Sequence, residues 1–187
     1  MRKIKTLFKK NLEDLSRVTT ELDPDCAWAL ETGIPTIKWD GTSCAVIYGS
    51  LYRRYDCKNG KKPPEGSLPC QEPDPITGHW PHWVLCVRGN PQDQYHFEAF
   101  DYAMKLVEGS YELIGPKIQG NPYNLTNHRL VEHGVDVINH TFTDYEDIRE
   151  YLSTHRIEGI VFWDPEFNNA CKIRASDFGI NWKEIRQ

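Results

Sequence analysis

Between Ile34 and Asp56 three short runs follow one another almost without pause: "IPTIKW", "SCAVIYG" and "LYRRYD". Each is rich in β-branched and aromatic residues and too short to bury one face as a helix. Tight turns join them, so the segment reads as consecutive strands of an antiparallel sheet. A chain built around such a block needs further strands to complete a core, and it has them. "WVLCVRG", "SYELIGP", a strand within "LVEHGVDVINH", "EGIVFW" and "ACKIRASDF" repeat the same texture. Helical patterns are fewer. "NLEDLSRVTTEL" sets Leu12, Leu15 and Val18 on one helical face. "TFTDYEDIREYLSTH" is the clearest helix, with Thr143 and Glu146 fitting a capping box and Ile148, Tyr151 and Leu152 supplying the apolar stripe. "YHFEAFDYA" reads as a strand or as the start of a helix running to Val107. Residues 57–82 are dense in Pro and Gly and read as a long surface loop. The expected class is α+β, with largely antiparallel sheets and a few helices.

The 187 residues fit a single domain, and 39% hydrophobic content is enough for a core. A net charge of −5 excludes a chain that is basic all over, but leaves room for a local basic groove. No apolar run reaches membrane-spanning length, so no membrane partner is expected. The basic start "MRKIKTLFKK" is followed by no long apolar segment and no small-residue cleavage site, which argues against a signal peptide. None of the six cysteines forms a C-x-x-C pair, and Cys44 and Cys171 lie in apolar runs, which points to a reduced, cytoplasmic protein. Cys70, His79, His82 and Cys86 can be drawn as a zinc site, but their spacing fits no usual ligand pattern.

Five segments carry chemistry: "KWDGTS" from Lys38, "YRRYD" from Tyr52, "YELIGPKIQGNPY" from Tyr111, "EGIVFW" from Glu158 and "CKIRASDFG" from Cys171. Alone, K-x-D-G is a weak signal. The order of all five resembles motifs I, Ia, III, IV and V of the covalent nucleotidyltransferases, which include RNA ligases, ATP-dependent DNA ligases and mRNA-capping guanylyltransferases. The run "YELIGPKIQGNP" resembles the RNA ligase branch, where a similar Gly-Pro-x-Ile-Gln follows the glutamate. The resemblance spans about residues 34–179. It implies the ATP-grasp-like adenylation domain of ligases, here one adenylyltransferase domain over 1–187 with no appended OB-fold, because only "INWKEIRQ" follows "SDFG".

The resemblance also implies roles. Lys38 is the nucleophile that attacks the α-phosphorus of ATP. Free lysine titrates near about 10.4, so the site must favour the neutral amine. Lys172 and Arg174 alternate along one strand and so share a face, where both contact the triphosphate with Lys38. The family has lysine at both places, so Arg174 departs from it while keeping the charge and adding a planar fork. Asp40 and Glu158 hold Mg²⁺ (or Mn²⁺), in part through its waters. Ile37, Gly41, Arg54 and Glu112 complete the nucleotide site. Gly41 lets the chain turn sharply, Arg54 is preferred to Arg53, and Glu98 competes with Glu112 as the motif III glutamate. No aromatic stands in "LVEHGVDVI" to stack on adenine, so Val137 or an aromatic from elsewhere must pack there. Lys58, Lys61 and Lys62 form a basic cluster suited to RNA phosphates. The partners implied are RNA 5′-phosphate and 3′-OH ends. The alternatives are another covalent nucleotidyltransferase or a non-catalytic nucleotide- or RNA-binding module.

Overall fold

The computed structural model describes residues 4–75, 77–103 and 106–186. In chain order the strands are β1 (Lys5–Thr6), β2 (Phe8–Lys10), β3 (Val18–Leu22), β4 (Ile34–Lys38), β5 (Thr42–Ile47) and β6 (Ser50–Cys57). Then come β7 (Leu68–Pro69), β8 (Trp80–Leu85), β9 (Gly109–Ile114), β10 (Arg129–Glu132), β11 (Gly159–Trp163) and β12 (Ala170–Arg174). The helices are α1 (Trp28–Glu31), α2 (Gln94–Tyr102) and α3 (Tyr145–Thr154). The class is α+β, and every strand pair but one is antiparallel among the described residues.

These elements form two compact units. One comprises Ile4–Trp39 and Gly134–Gln187, the other Asp40–His133. In the first, a four-stranded sheet runs in the order β1-β12-β11-β4, with β1 parallel to β12. Period-2 alternation divides its side chains between two faces, although Thr36 and Val161 on the second are buried as well. Ile160, Phe162, Ile173 and Cys171 form a buried face, joined by Ile148 and Leu152 of α3 and by Phe142, whose ring meets that of Phe162 edge-on. Burying such a side chain contributes roughly 1.5–3 kcal/mol. Pro35 sits on β4, an edge strand, where its missing N–H breaks no interior ladder.

Two expectations fail in this unit. Residues 11–22 form no helix. Asn11 and Asp14 accept from the backbone N–H groups of Glu13 and Ser16, a local turn chemistry that replaces helical bonding. Val18–Leu22 then pairs with β2 as a hairpin, as its β-branched Val-Thr-Thr start favours. The cap of α3 is Asp144 and not Thr143. Asp144 Oδ1 accepts from the N–H of Glu146 and of Asp147, a cap worth about 1 kcal/mol.

In the second unit a six-stranded sheet runs in the order β10-β9-β5-β6-β8-β7. Cys44, Val46, Leu51, Tyr111 and Leu113 make its buried face, with Ala99 of α2 in the same cluster. The "YHFEAFDYA" run is therefore helix, started by Asn90 accepting from Gln92 N and by Pro91 at the first position; Met104 and Lys105, within its expected run to Val107, lie outside the described residues. The Pro/Gly-rich segment is a loop only in part, because β7 and the start of β8 lie within it.

Candidate active site

In the first unit, Lys38 ends β4 opposite Gly159, which in turn stands opposite Arg174. Two residues along, Thr36, Val161 and Lys172 are in register. Directly opposed residues share a face, so Lys38, Lys172 and Arg174 all stand on the face away from α3. Gly159 lies between two of them because nothing larger fits: a Cβ there would meet the Ile173 carbonyl oxygen at 2.2 Å. The Lys38 Nζ donates to Glu158 Oε2 at 2.5 Å. Burial, then the Lys38 and Arg174 charges, lower the Lys172 pKa to about 8. The pattern is a cation triad with one carboxylate on the nucleophile candidate.

Arg174 is further constrained. Its N–H and guanidinium donate to Asp177, at 2.9 Å from the backbone N to Oδ2 and 2.9 Å from Nη2 to Oδ1. Lys10 Nζ reaches the same carboxylate at 2.6 Å. Burial alone would raise Asp177, but the bonds from Arg174 and Lys10 outweigh it and keep the carboxyl low. Arg174 has five N–H groups, and Asp177 leaves some of them available to a phosphate. Neither Lys10 nor Asp177 was singled out from sequence, though Asp177 lies inside the quoted "ASDFG".

Ile37 is turned the other way. Its side chain lies on the α3 face, and its N–H donates to Asp136 O at 2.9 Å. Trp39 Nε1 donates to Asp136 Oδ2 at 2.8 Å. Val137 bridges to Thr36 and so stands on the cation face, 58% exposed. Trp163 shares that face, donates to Thr36 Oγ1 at 3.1 Å and stacks on Phe167 at 5.9 Å. An aliphatic residue and an aromatic pair thus both flank the triad.

In the second unit, the Asp40–Gly41 turn is clamped by the segment after β9. Asp40 N donates to Tyr123 Oη at 2.6 Å, and Gln119 Nε2 donates to Gly41 O at 3.1 Å. Gly41 is dictated by close approach: a Cβ would meet Leu113 O at 2.3 Å and Glu112 Cγ at 2.8 Å. Glu112 is opposite Ser43 and Val131. By register Ser43, Glu112 and Arg54 stand on the face away from α2. Arg53, on the other face, donates to the buried Asp93 at 2.9 Å, while Arg54 Nε donates to Asp56 Oδ1 at 3.0 Å. Glu98 sits on α2, across the sheet from Glu112, and accepts from Gln94 and contacts His128 Nδ1 at 2.7 Å.

Glu112 has a partner that sequence reading missed. His133 Nε2 lies 3.0 Å from Glu112 Oε2, and its Nδ1 lies 2.9 Å from Ser110 Oγ. Ser43 Oγ, next to Glu112 on this face, is buried without a hydrogen-bond partner among the described residues. His133 falls in the quoted "LVEHG" run, but nothing in that run pairs it with a glutamate 21 residues earlier. Lys58, Lys61 and Lys62 are exposed. Their loop is held from inside by Cys57 Sγ, which donates to Lys61 O at 3.2 Å.

Cations aligned on one sheet face, with a lysine-carboxylate contact among them, suit an anionic ligand. The profile of the RNA ligase 1 family matches residues 103–186, a stretch that contains Glu112, Glu158, Lys172 and Arg174 and leaves out Lys38. RNA ligase 1 of Pongo abelii is 25% identical over 81% of this chain and 69% of its own length. RNA ligase 1 of Danio rerio is 28% identical over 56% of this chain, and that of Mus musculus 27% over 57%; both matches span 42% of those proteins. Over these stretches the chain is similar to RNA ligase 1 proteins.

Proposed function

We propose that the protein is an ATP-dependent RNA ligase that works through a lysyl-AMP. The Lys38 Nζ loses its proton and attacks the α-phosphorus. An N–P bond forms as the bond to the departing pyrophosphate breaks. An oxygen of an RNA 5′-phosphate then takes the AMP and releases Lys38, and a 3′-OH displaces AMP to close the phosphodiester. The observation that carries this reading is the placement of Lys38, Lys172 and Arg174 on one sheet face, with Glu158 on the Lys38 amine. Two further cations beside the nucleophile orient a triphosphate and stabilise charge that develops on it.

Glu158 and Asp40 are the oxygen donors we assign to Mg²⁺, or to Mn²⁺ in its place. Carboxylates are the donor type such hard cations prefer, and a bound ion would offset the triphosphate charge. Glu112 is assigned to the ribose hydroxyls, with His133 setting its orientation. Arg54 is assigned to the AMP phosphate or the RNA 3′ end. Adenine is assigned to the apolar surface of Val137 and Trp163. Lys58, Lys61 and Lys62 are assigned to RNA phosphates. A cytoplasmic setting agrees with six cysteines present as free thiols.

The test is covalent labelling with α-labelled ATP and Mg²⁺. Wild type takes up one AMP by mass, stable to base and labile to acid as a phosphoramidate is, and Lys38→Ala takes up none while folding normally. Labelling of the Ala variant would mean that another residue is the nucleophile. A labelled wild type that seals no RNA, whether nicked duplex, single strand or stem-loop, would leave nucleotidyl transfer without the ligase.

A further inference from the structure

We propose that Cys86, Asp93 and His96 are the ligands of a divalent transition-metal site, zinc being the natural occupant, inside the Asp40–His133 unit. All three side chains are buried, and their ligand atoms lie within 4.8 Å of one another. The site is separate from the ligation chemistry, since it is built on the α2 side of the six-stranded sheet, whereas Glu112 stands on the opposite side.

The scaffold brings the three together for identifiable reasons. Cys86 follows β8, and its N–H donates to Leu51 O at 2.9 Å, which fixes it against β6. Asp93 closes the short turn Pro91–Asp93, and His96 lies three residues on, in the first turn of α2. A spacing of three puts both on one helical face. Thiolate, imidazole and carboxylate are the zinc donor types, and a tetrahedral ion with bonds of about 2.0–2.3 Å places its ligand atoms roughly 3.5 Å apart. Closing from the observed spacing takes side-chain shifts on the order of 1 Å.

His96 supplies the independent observation. It is 6% exposed, and neither ring nitrogen has a hydrogen-bond partner among the described residues. A buried imidazole with two orphaned nitrogens is costly unless something occupies one of them. Asp93 is compatible with a ligand role. Oδ1 accepts from Arg53 Nε, and Oδ2 accepts from Val87 N and Asn90 Nδ2. A carboxylate has about four acceptor positions; the remaining one is met by the Cys86 thiol, whose proton would leave as thiolate and carboxylate take the metal. Arg53 then acts as the outer partner that orients a ligating carboxylate. Three protein ligands leave a fourth position for water.

The experiment measures metal in the full chain purified without chelator, then titrates the chelator-treated protein with Co²⁺ and follows the thiolate-to-cobalt charge-transfer absorption. The expected result is close to one zinc per chain, or one Co²⁺ with that absorption. Cys86→Ser should abolish the absorption, and His96→Gln should weaken Co²⁺ binding by at least ~10²-fold. Because either variant can lose its fold, the wild-type melting temperature is also measured with and without chelator, and it should drop when metal is removed. Metal-free wild-type protein that gives no absorption with Co²⁺ and melts at an unchanged temperature in chelator overturns the site. So does an absorption that survives in a folded Cys86→Ser variant.

Discussion

The four-stranded sheet that carries Lys38 and the six-stranded sheet that carries Glu112 each pack one face against a helix, but their other faces are stocked differently. On the first stand two lysines and an arginine, with Glu158 on one of the lysines. On the second stand Ser110, His133 and Glu112, linked by short polar contacts, with Ser43 and Arg54 beside them. The first face suits phosphate charge and its changes. The second suits hydroxyls, where direction matters more than charge. The difference teaches that substitutions on the first should act on the chemical step, and those on the second on binding and alignment.

Substitutions on the cation face test that contrast most severely. Glu158→Ala and Lys172→Ala should each slow self-adenylation by at least ~10²-fold, because each acts on charge at the reacting phosphorus. A wild-type rate in either would remove that residue from the chemistry. Glu112→Ala should show a smaller loss, about 10-fold, with much of it in the KM for ATP. Glu98→Ala, across the sheet, should lose less than Glu112→Ala; the reverse order would exchange their roles.

A pH experiment sharpens the comparison. Lys172 titrates near about 8 in the folded protein, below its ordinary value. Binding a triphosphate favours its charged form, so above that pH the protein must take up a proton to bind ATP. ATP affinity should therefore fall as pH rises through about 8, by up to about tenfold per pH unit. Lys172→Arg should bind with little dependence over the same range, since a guanidinium keeps its charge. An equally steep fall in the Arg variant would place the titrating group elsewhere. The smallest effect concerns the loop. Changing Lys58, Lys61 and Lys62 together to serine should weaken RNA binding and flatten its salt dependence, with self-adenylation near wild type. Unchanged RNA affinity and salt slope would make the cluster an ordinary solvated loop.

Much of this arrangement is legible in the sequence where local pattern and tertiary need coincide. The runs around Lys38, Ala45 and Arg54 are strands because β-branched alternation and pairing partners agree. The alternation of Lys172 and Arg174 is enough to put them on one face, and the same rule separates Arg53 from Arg54. The pattern misleads where helical spacing arises by chance. Leu12 and Leu15 are 91% and 69% exposed, so no core rewards their periodicity. Contacts between distant residues are not legible at all. The pairing of Glu112 with His133 is created by the β9–β10 pairing, that of Asp177 with Lys10 by the return of the chain, and the grouping of Cys86 with Asp93 and His96 by the docking of α2.

The grip of Asp177 on Arg174 also decides what residue 174 can offer a ligand. A lysine at 174 would have a single terminal nitrogen. It cannot grip Asp177 side-on and also offer a fork to a phosphate. In this chain the side chains at 174 and 177 are thus physically coupled. Arg174→Lys should therefore loosen the hold on Asp177 and leave Lys10 as its main cationic partner.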